Sequence, residues 1–203
     1  VKGKWIQVGN DIWGEASNKF LGSTVSISNN GRRILLGHNS QPRVYEDMDG
    51  KGSWVKMGNI PEAPEFINRS LSMSGDGKRV VRGSVLLGIG VSATVYEDMD
   101  GNGNWIEVGN SMGGDAADND KYYGTHTLSI SSDGKRVIFG AGDTSYKKGR
   151  VQVYEEVNGN WKKIGNDNID DKKACIVSMS NDGKRILVSY PGSTDGSKVF
   201  ESR

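Results

Sequence analysis

The residues best placed to bind a metal ion lie in one acidic turn. Asp98, Asp100 and Asn102 supply side-chain oxygen atoms at alternate positions, and Gly103 follows at the sixth position. This spacing matches the start of an EF-hand calcium loop, where alternating oxygen ligands precede a glycine. The bidentate glutamate that closes such a loop is missing, because Gly109 stands there. Two alternatives remain, a calcium site and a solvated hairpin turn, and we expect the turn. The sequence suggests no other cofactor.

Residues of the types that catalyse reactions are few. The two histidines, His38 and His126, stand at different points of the sequence pattern, and Cys175 is the single cysteine. They form no recognisable Ser-His-Asp, Cys-His or metal-binding set. Carboxylates are plentiful, so an acid pair of the glycosidase type stays open. The sequence therefore predicts a protein that is not an enzyme.

Aromatic residues in predicted loops could contact a partner. Trp13 and Tyr122 lie in long connections, and Tyr146 lies in the longest connection between two strands of one repeat. Aromatic side chains at a surface are typical of sites that bind sugars or proteins. We predict Trp13, Tyr122 and Tyr146 as partner-binding residues, with packing of each loop onto its own repeat as the alternative.

Composition excludes several classes of function. The chain of 203 residues has 26 Lys and Arg against 25 Asp and Glu, a net charge of +1. This balance argues against nucleic acid or an anionic membrane as a partner bound by charge. No apolar run reaches the roughly 18 residues that a membrane span needs. One cysteine excludes an internal disulfide and a cysteine-rich zinc site.

A repeat organises the chain into one predicted domain, residues 1–203. A Trp-x-x-x-Gly-Asn segment recurs at intervals of 49, 51 and 56 residues, beginning at Trp5, Trp54, Trp105 and Trp161. A period near 50 residues with about four short strands per unit is typical of a β-propeller blade. We therefore predict an all-β fold, a β-propeller with four blades of four antiparallel strands.

Each repeat contains the same succession of predicted strands. An inner strand alternates apolar residues with serine, as in Leu128-Ser129-Ile130-Ser131, and the turn Asp133-Gly134 leads to a buried second strand. We interpret Asp133-Gly134 as a two-residue hairpin turn in which both residues take positive φ. The serines predict close packing of the blades around the axis, with a hydroxyl-lined ligand channel as the alternative.

The phase of the repeat predicts how the ring closes. The chain begins with a Trp5 strand and ends with a Val199 strand, and these two are hairpin partners in the internal repeats. We predict that the N-terminal strand completes the last blade, which removes exposed sheet edges. The alternatives are a piece of a larger ring and two copies that pair to close one.

A basic pair follows every inner turn. Such a ring of cations could bind a sulfated glycan or an acidic protein, but its recurrence favours a role in the fold, in which the second arginine pairs with a carboxylate. The four pairs are Arg32-Arg33, Lys78-Arg79, Lys135-Arg136 and Lys184-Arg185.

The repeat resembles two families of propeller repeats. The stretch from Ser131 to Gly140, Ser-Ser-Asp-Gly-Lys-Arg-Val-Ile-Phe-Gly, is similar to TolB-type repeats, and the whole unit from Trp-x-x-x-Gly-Asn to Val-Tyr-Glu resembles integrin-α/FG-GAP-like repeats. The second resemblance implies a secreted or cell-surface protein. The calcium loop of integrin blades has no counterpart at the short Asp133-Gly134 turn, so the resemblance implies no calcium site there.

The sequence predicts a non-catalytic interaction or scaffold module, a possible subunit of a larger assembly, that binds a protein or a glycan. Contact is predicted through the connections 10–22, 110–124 and 141–150, which differ between repeats while the strands do not. Two alternatives remain open. One is a calcium-dependent, glycan-binding adhesion module, and the other is a hydrolase or lyase with its site at the propeller axis.

Overall fold

The computed structural model describes residues 3–14, 21–37, 41–61, 70–86, 90–113, 127–142, 149–165, 176–190 and 196–202. These residues form β-strands joined by turns, and none of them forms a helix long and apolar enough to cross a membrane. The strands are β1 (Val25–Ile27), β2 (Arg33–Leu36), β3 (Arg43–Asp47), β4 (Trp54–Asn59), β5 (Ser70–Met73), β6 (Arg79–Leu86), β7 (Gly90–Asp98), β8 (Trp105–Glu107), β9 (Met112–Gly113), β10 (Thr127–Ile130), β11 (Arg136–Gly142), β12 (Gly149–Val157), β13 (Asn160–Ile164), β14 (Ile176–Met179), β15 (Arg185–Ser189) and β16 (Ser197–Glu201).

The strands build four antiparallel sheets, each following the order of the chain. Blade 1 is β1-β2-β3-β4, blade 2 is β5-β6-β7-β8 with β9 added beside β7, blade 3 is β10-β11-β12-β13, and blade 4 is β14-β15-β16. This all-β, propeller-type architecture confirms the fold class predicted from the repeat.

The first strands of the blades lie together at the centre. β1 contacts β5, β5 contacts β10, and β10 contacts β14, so these four strands are the inner strands of an arc of blades. Apolar side chains fill the space between neighbouring blades. Leu35 and Val44 of blade 1 share a core with Val80 of blade 2, and Val81 on the opposite face shares a second core with Phe139 of blade 3. Each blade is thus held by the faces of its neighbours.

The turn after each inner strand differs from the prediction. Asp133 does not have a positive φ, whereas Gly134 has φ of 71°. The Gly134 amide donates to the Ser131 carbonyl, and Ser131 and Arg136 pair across the hairpin, so the connection has four residues rather than two. The Ser131 hydroxyl explains the difference, because it donates a hydrogen bond to the Asp133 carboxylate and this contact favours the longer turn. A two-residue turn with both φ positive occurs instead at Asn158-Gly159, between β12 and β13.

Closure of blade 4 by the N-terminal segment was also wrong in detail. Among the described residues blade 4 has three strands, and residues 3–14 form no strand. Trp5 is 98% exposed. The physical reason lies in the packing of the segment: it lies against blade 1, at the other end of the arc from β16. The Trp54 indole donates to the Val8 carbonyl at 3.2 Å.

Candidate functional site

Each blade has two ends, which we name by their connections. The turn end carries the short turns between the first and second strands, such as Ser131–Arg136, and the loop end is the end at which the inner strands begin. Of the predicted contact loops 10–22, 110–124 and 141–150, residues 15–20, 114–124 and 143–148 lie outside the described part of the chain. Tyr122 and Tyr146, with His38 and His126, lie outside the described residues.

A chain of arginines joins the blades at the turn end. Arg33 pairs with Glu46 of its own blade at 2.7 Å and with Asp98 of blade 2 at 2.9 Å, and it donates to the Gly77 carbonyl. Arg79 repeats this pattern in blade 2 and reaches a carboxylate of blade 3. These arginines are occupied by the fold, as the structural alternative for the basic pairs predicted.

Burial and ion pairs act in opposite directions on Arg79. Burial lowers the pKa of its guanidinium, but Glu156 and Glu97 outweigh that effect and raise the pKa. The group therefore stays charged, and its function is to hold two blades together.

The inner serines also join blades. The Met73 amide donates to the Ser26 hydroxyl at 3.2 Å, and the Ile130 amide donates to the Ser72 hydroxyl at 3.3 Å. Each bond runs from one inner strand to the next, so the small residue both allows close approach and satisfies a backbone donor. The packing interpretation of these serines is confirmed for Ser26 and Ser72.

Hydrogen bonds also set the acidity of the turn aspartates. Burial raises the pKa of Asp133, but the Ser131 hydroxyl and the Lys135 amide donate to its carboxylate and, together with the nearby positive charges, hold the pKa below its usual 3.8. The carboxylate is therefore ionised at neutral pH, and its oxygen atoms organise the turn.

The predicted metal ligands are used by the turn that carries them. Asp98 is fully buried, and its two oxygens accept hydrogen bonds from Arg33 and from the Gly103 amide. The Asp100 carboxylate accepts a hydrogen bond from the backbone amide of Asn102. Among the described residues, the side chain of Asn102 forms no hydrogen bond with Asp98. No cluster of three or more His, Cys, Asp or Glu side chains suited to a metal occurs in the described ranges. The geometry is that of a hydrogen-bonded turn.

Trp13 lines an open cleft beside blade 1. Its side chain is 78% exposed, and the cleft has a volume of about 390 Å³. Trp54 and Tyr45 form the aromatic part of the lining, and Asp11 adds a carboxylate. Sequence reasoning identified Trp13 but not its neighbours, because Trp54 and Tyr45 were assigned to the repeat. The cleft combines flat apolar surfaces with a polar group, as sites for sugars do.

Arg82 is a buried cation that the sequence pattern marked only as an interruption of an apolar strand. It is 5% exposed and faces blade 1, one strand out from the axis, where β6 pairs with the inner strand β5. Its guanidinium donates to the Pro61 carbonyl and to the Tyr96 hydroxyl, and it lies 4.9 Å from the centre of the Tyr96 ring. Burial raises the pKa of Tyr96, and the Arg82 charge opposes that rise.

Arg82 also has unused binding capacity. Among the described residues no carboxylate pairs with it, and its Nε is buried without a hydrogen-bond partner. A buried guanidinium normally pairs with a carboxylate or phosphate, because an unpaired charge in the interior is costly. The Arg82 position, near the loop end of the interface between blades 1 and 2, is therefore suited to an anionic group.

Comparison with known proteins shows the fold but no family. No protein-family model matches the chain, and no curated protein matches it. Among solved structures, a protein from Lactobacillus plantarum is 13% identical, with a TM-score of 0.61 over 97% of this chain and 55% of its own. A "putative 6-phosphogluconolactonase" from Bacteroides fragilis is 22% identical, with a TM-score of 0.58 over 98% of this chain and 55% of its own. The chain thus spans about half the length of either.

These likenesses correct the functional prediction. They give no support to a non-catalytic scaffold, and the neighbour with a named activity is described as an enzyme. The predictions of a scaffold and of a protein that is not an enzyme were therefore wrong. The reason is that we searched for catalytic residues that recur with the repeat. A propeller supports many activities, and its reactive groups come from positions where the repeats differ.

Proposed function

We propose that this propeller is a hydrolase that opens a lactone or related ester of an anionic sugar acid, with its site at the loop end of the interface between blades 1 and 2. The observation that carries the proposal is the buried guanidinium of Arg82, which has no carboxylate partner among the described residues and whose Nε lacks a hydrogen bond. The likeness to a neighbour described as a lactonase gives the class of bond.

The chemistry of such a reaction needs no redox partner. Water adds to the carbonyl carbon, the bond from that carbon to the ring oxygen breaks, and the ring oxygen takes a proton as a hydroxyl group. The product of lactone opening is a single hydroxy acid, whose carboxylic acid group ionises. In this proposal Arg82 binds the negative group of the substrate, since a guanidinium can donate two parallel hydrogen bonds to a phosphate or carboxylate. Tyr96 and the Pro61 carbonyl fix the plane of that guanidinium.

The test is hydrolysis of a phosphorylated sugar δ-lactone, followed as acid release above the spontaneous rate. We expect Arg82→Met to raise KM at least about tenfold, which is the loss of one charged hydrogen bond of 1.4 kcal/mol or more. Arg32→Met is the matched control, because Arg32 is exposed. The unphosphorylated lactone should be a poor substrate for the wild type and equally poor for Arg82→Met. Hydrolysis that is indifferent to Arg82 and to the phosphate would contradict the proposal.

The Trp13 cleft supports a second candidate, the binding of a neutral sugar or oligosaccharide. The specific observation is that exposed Trp13 faces a cleft also lined by Trp54 and Asp11. A sugar ring would stack on the indole while its hydroxyls donate to the carboxylate. Titration with a panel of oligosaccharides tests this candidate. Trp13→Ala should abolish binding, with or without EDTA, and binding that EDTA removes would instead favour the calcium-dependent adhesion alternative.

A further inference from the structure

The first blade leaves apolar side chains of its inner strand uncovered. Ile27 is 62% exposed, whereas Met73 at the same place in blade 2 is 6% exposed. Val25 is exposed as well, and its counterpart Leu71 is buried. In blades 2 and 3 the residues equivalent to Val25 and Ile27 pack against the preceding blade. The uncovered face of blade 1 therefore has the composition of an interface between blades.

The last blade leaves the complementary face uncovered. Val199 is 67% exposed, whereas Val44 at the same place in blade 1 is fully buried against blade 2. Leu187 is likewise exposed, and its counterpart Leu35 is fully buried. The two ends of the arc thus expose opposite sides of the same repeated interface.

Polar groups at the two ends also match. Arg33, Arg79 and Arg136 donate to a glycine carbonyl in the turn of the next blade. Arg185 is the next member of this series, and among the described residues its guanidinium bonds only with Glu201 of its own blade. The acceptor that would continue this series for the Arg185 guanidinium is the Gly31 carbonyl, at the turn end of blade 1.

A ladder of backbone bonds between the turns stops at the same two places. The Asn29 amide donates to the Gly75 carbonyl, the Gly75 amide to Ser132, and the Ser132 amide to Asn181. The pattern would continue from the Asn181 amide to the Asn29 carbonyl. The last blade therefore offers the donor and the first blade the acceptor of one more step.

The chain also carries two parts of one blade at its two ends. Residues 5–10 lie against blade 1 as an outer strand of a preceding blade would. The Trp54 indole donates to Val8, as the Trp105 indole donates to Met57 in the next interface. A Cβ on Gly9 would lie 2.0 Å from the Gly52 oxygen, which repeats the contact between Gly58 and Gly103. Among the described residues no strand pairs with this segment, and none pairs with the outer edge of β16.

We propose that two copies of this chain dock head to tail, so that blade 4 of each copy packs on blade 1 of the other. Residues 5–10 of one copy would then add to β16 of its partner and complete the fourth blade. Two arcs docked in this way would form one closed ring. This two-fold arrangement uses the same heterologous interface twice and leaves neither end free.

The mass of the particle in solution tests the proposal. We expect twice the chain mass of 22.0 kDa by light scattering over a concentration series. Ile27→Asp and Val199→Asp should each give a monomer, because every interface of the pair contains one altered face. Met99→Asp is the matched control, since Met99 is 66% exposed in a turn of blade 2 away from both faces. A wild-type monomer, or an open chain of three or more copies, would overturn the proposal.

Mixing the two variants distinguishes head-to-tail docking from contact between like faces. An equimolar mixture of Ile27→Asp and Val199→Asp can form one intact interface, so it should recover a particle of two chains. Recovery should bring slower amide hydrogen exchange along β16, where the partner strand adds. If one variant alone still dimerises, or if the mixture stays monomeric although both variants are folded by circular dichroism, the head-to-tail arrangement is refuted.

Discussion

Arg33 gives the strongest prediction about stability, because it joins two blades inside the protein. Its side chain is 10% exposed and pairs with Glu46 and with Asp98, whose own side chain is fully buried. Arg33→Met keeps the apolar stem but leaves the Asp98 charge buried without its cation. Removal of one partner from a buried pair costs about 3–5 kcal/mol. For a chain of this size each kcal/mol lowers the melting temperature by about 2–4 °C, so the expected loss is about 6–20 °C.

The assay is thermal and urea unfolding followed by circular dichroism. Arg32→Met is the control, because the neighbouring Arg32 is exposed, and it should change the free energy of unfolding by no more than about 0.5 kcal/mol. Arg136→Met should lie between the two, since Arg136 pairs with the single carboxylate Glu155 and is 26% exposed. The double variant Arg33→Met/Asp98→Asn should recover part of the loss, because the fully buried position 98 then carries no charge and only the partly exposed Glu46 is left without its cation. If Arg33→Met and Arg32→Met unfold alike, or if the double variant is less stable than Arg33→Met, the reasoning is wrong.

Three further predictions concern single contacts of the fold. Gly103→Ala should be less stable in urea than Gly101→Ala by about 1–3 kcal/mol. Both glycines have positive φ, but a Cβ on Gly103 would lie 2.5 Å from the Met57 backbone, whereas a Cβ on Gly101 would face open space. Equal losses would contradict this close approach. Ser72→Ala should cost about 1–3 kcal/mol by leaving the Ile130 amide without its acceptor, whereas Ser178→Ala on the exposed strand β14 should be near neutral in the monomeric Ile27→Asp variant. Since the folded pKa of Asp133 lies below its usual value, its contribution to stability is present above about pH 4 and is lost as the pH falls through the folded pKa. Asp133→Asn should therefore lose less stability between about pH 4 and pH 2 than the wild type does, and an unchanged pH profile would argue against that shift.

The architecture could be predicted from the sequence because it depends on a pattern that recurs. The serine alternation of each inner strand and the spacing of Trp54, Trp105 and Trp161 both follow from the contacts between neighbouring blades. Local polar chemistry was harder to predict. The Ser131 hydroxyl donates a hydrogen bond to Asp133 within a four-residue connection. The turn type cannot be predicted from the Asp-Gly pair alone, because it depends on this side chain two residues earlier.

The candidate site could not be predicted in the same way, because it depends on contacts between distant residues. Arg82 interrupts an apolar strand, and its sequence position does not show that Pro61 and Tyr96 receive its hydrogen bonds. Ring closure depends likewise on long-range geometry. The Trp5 segment has the sequence of an outer strand, but pairing with β16 requires the curvature of the whole arc, which no single repeat encodes.

The proposed hydrolase activity is tested most directly by the rate at which the protein opens a phosphorylated sugar δ-lactone. We expect saturable hydrolysis above the spontaneous rate, with KM raised about tenfold or more in Arg82→Met and unchanged in Arg32→Met. Hydrolysis no faster than the spontaneous reaction, measured on protein of confirmed fold and assembly state, would contradict it.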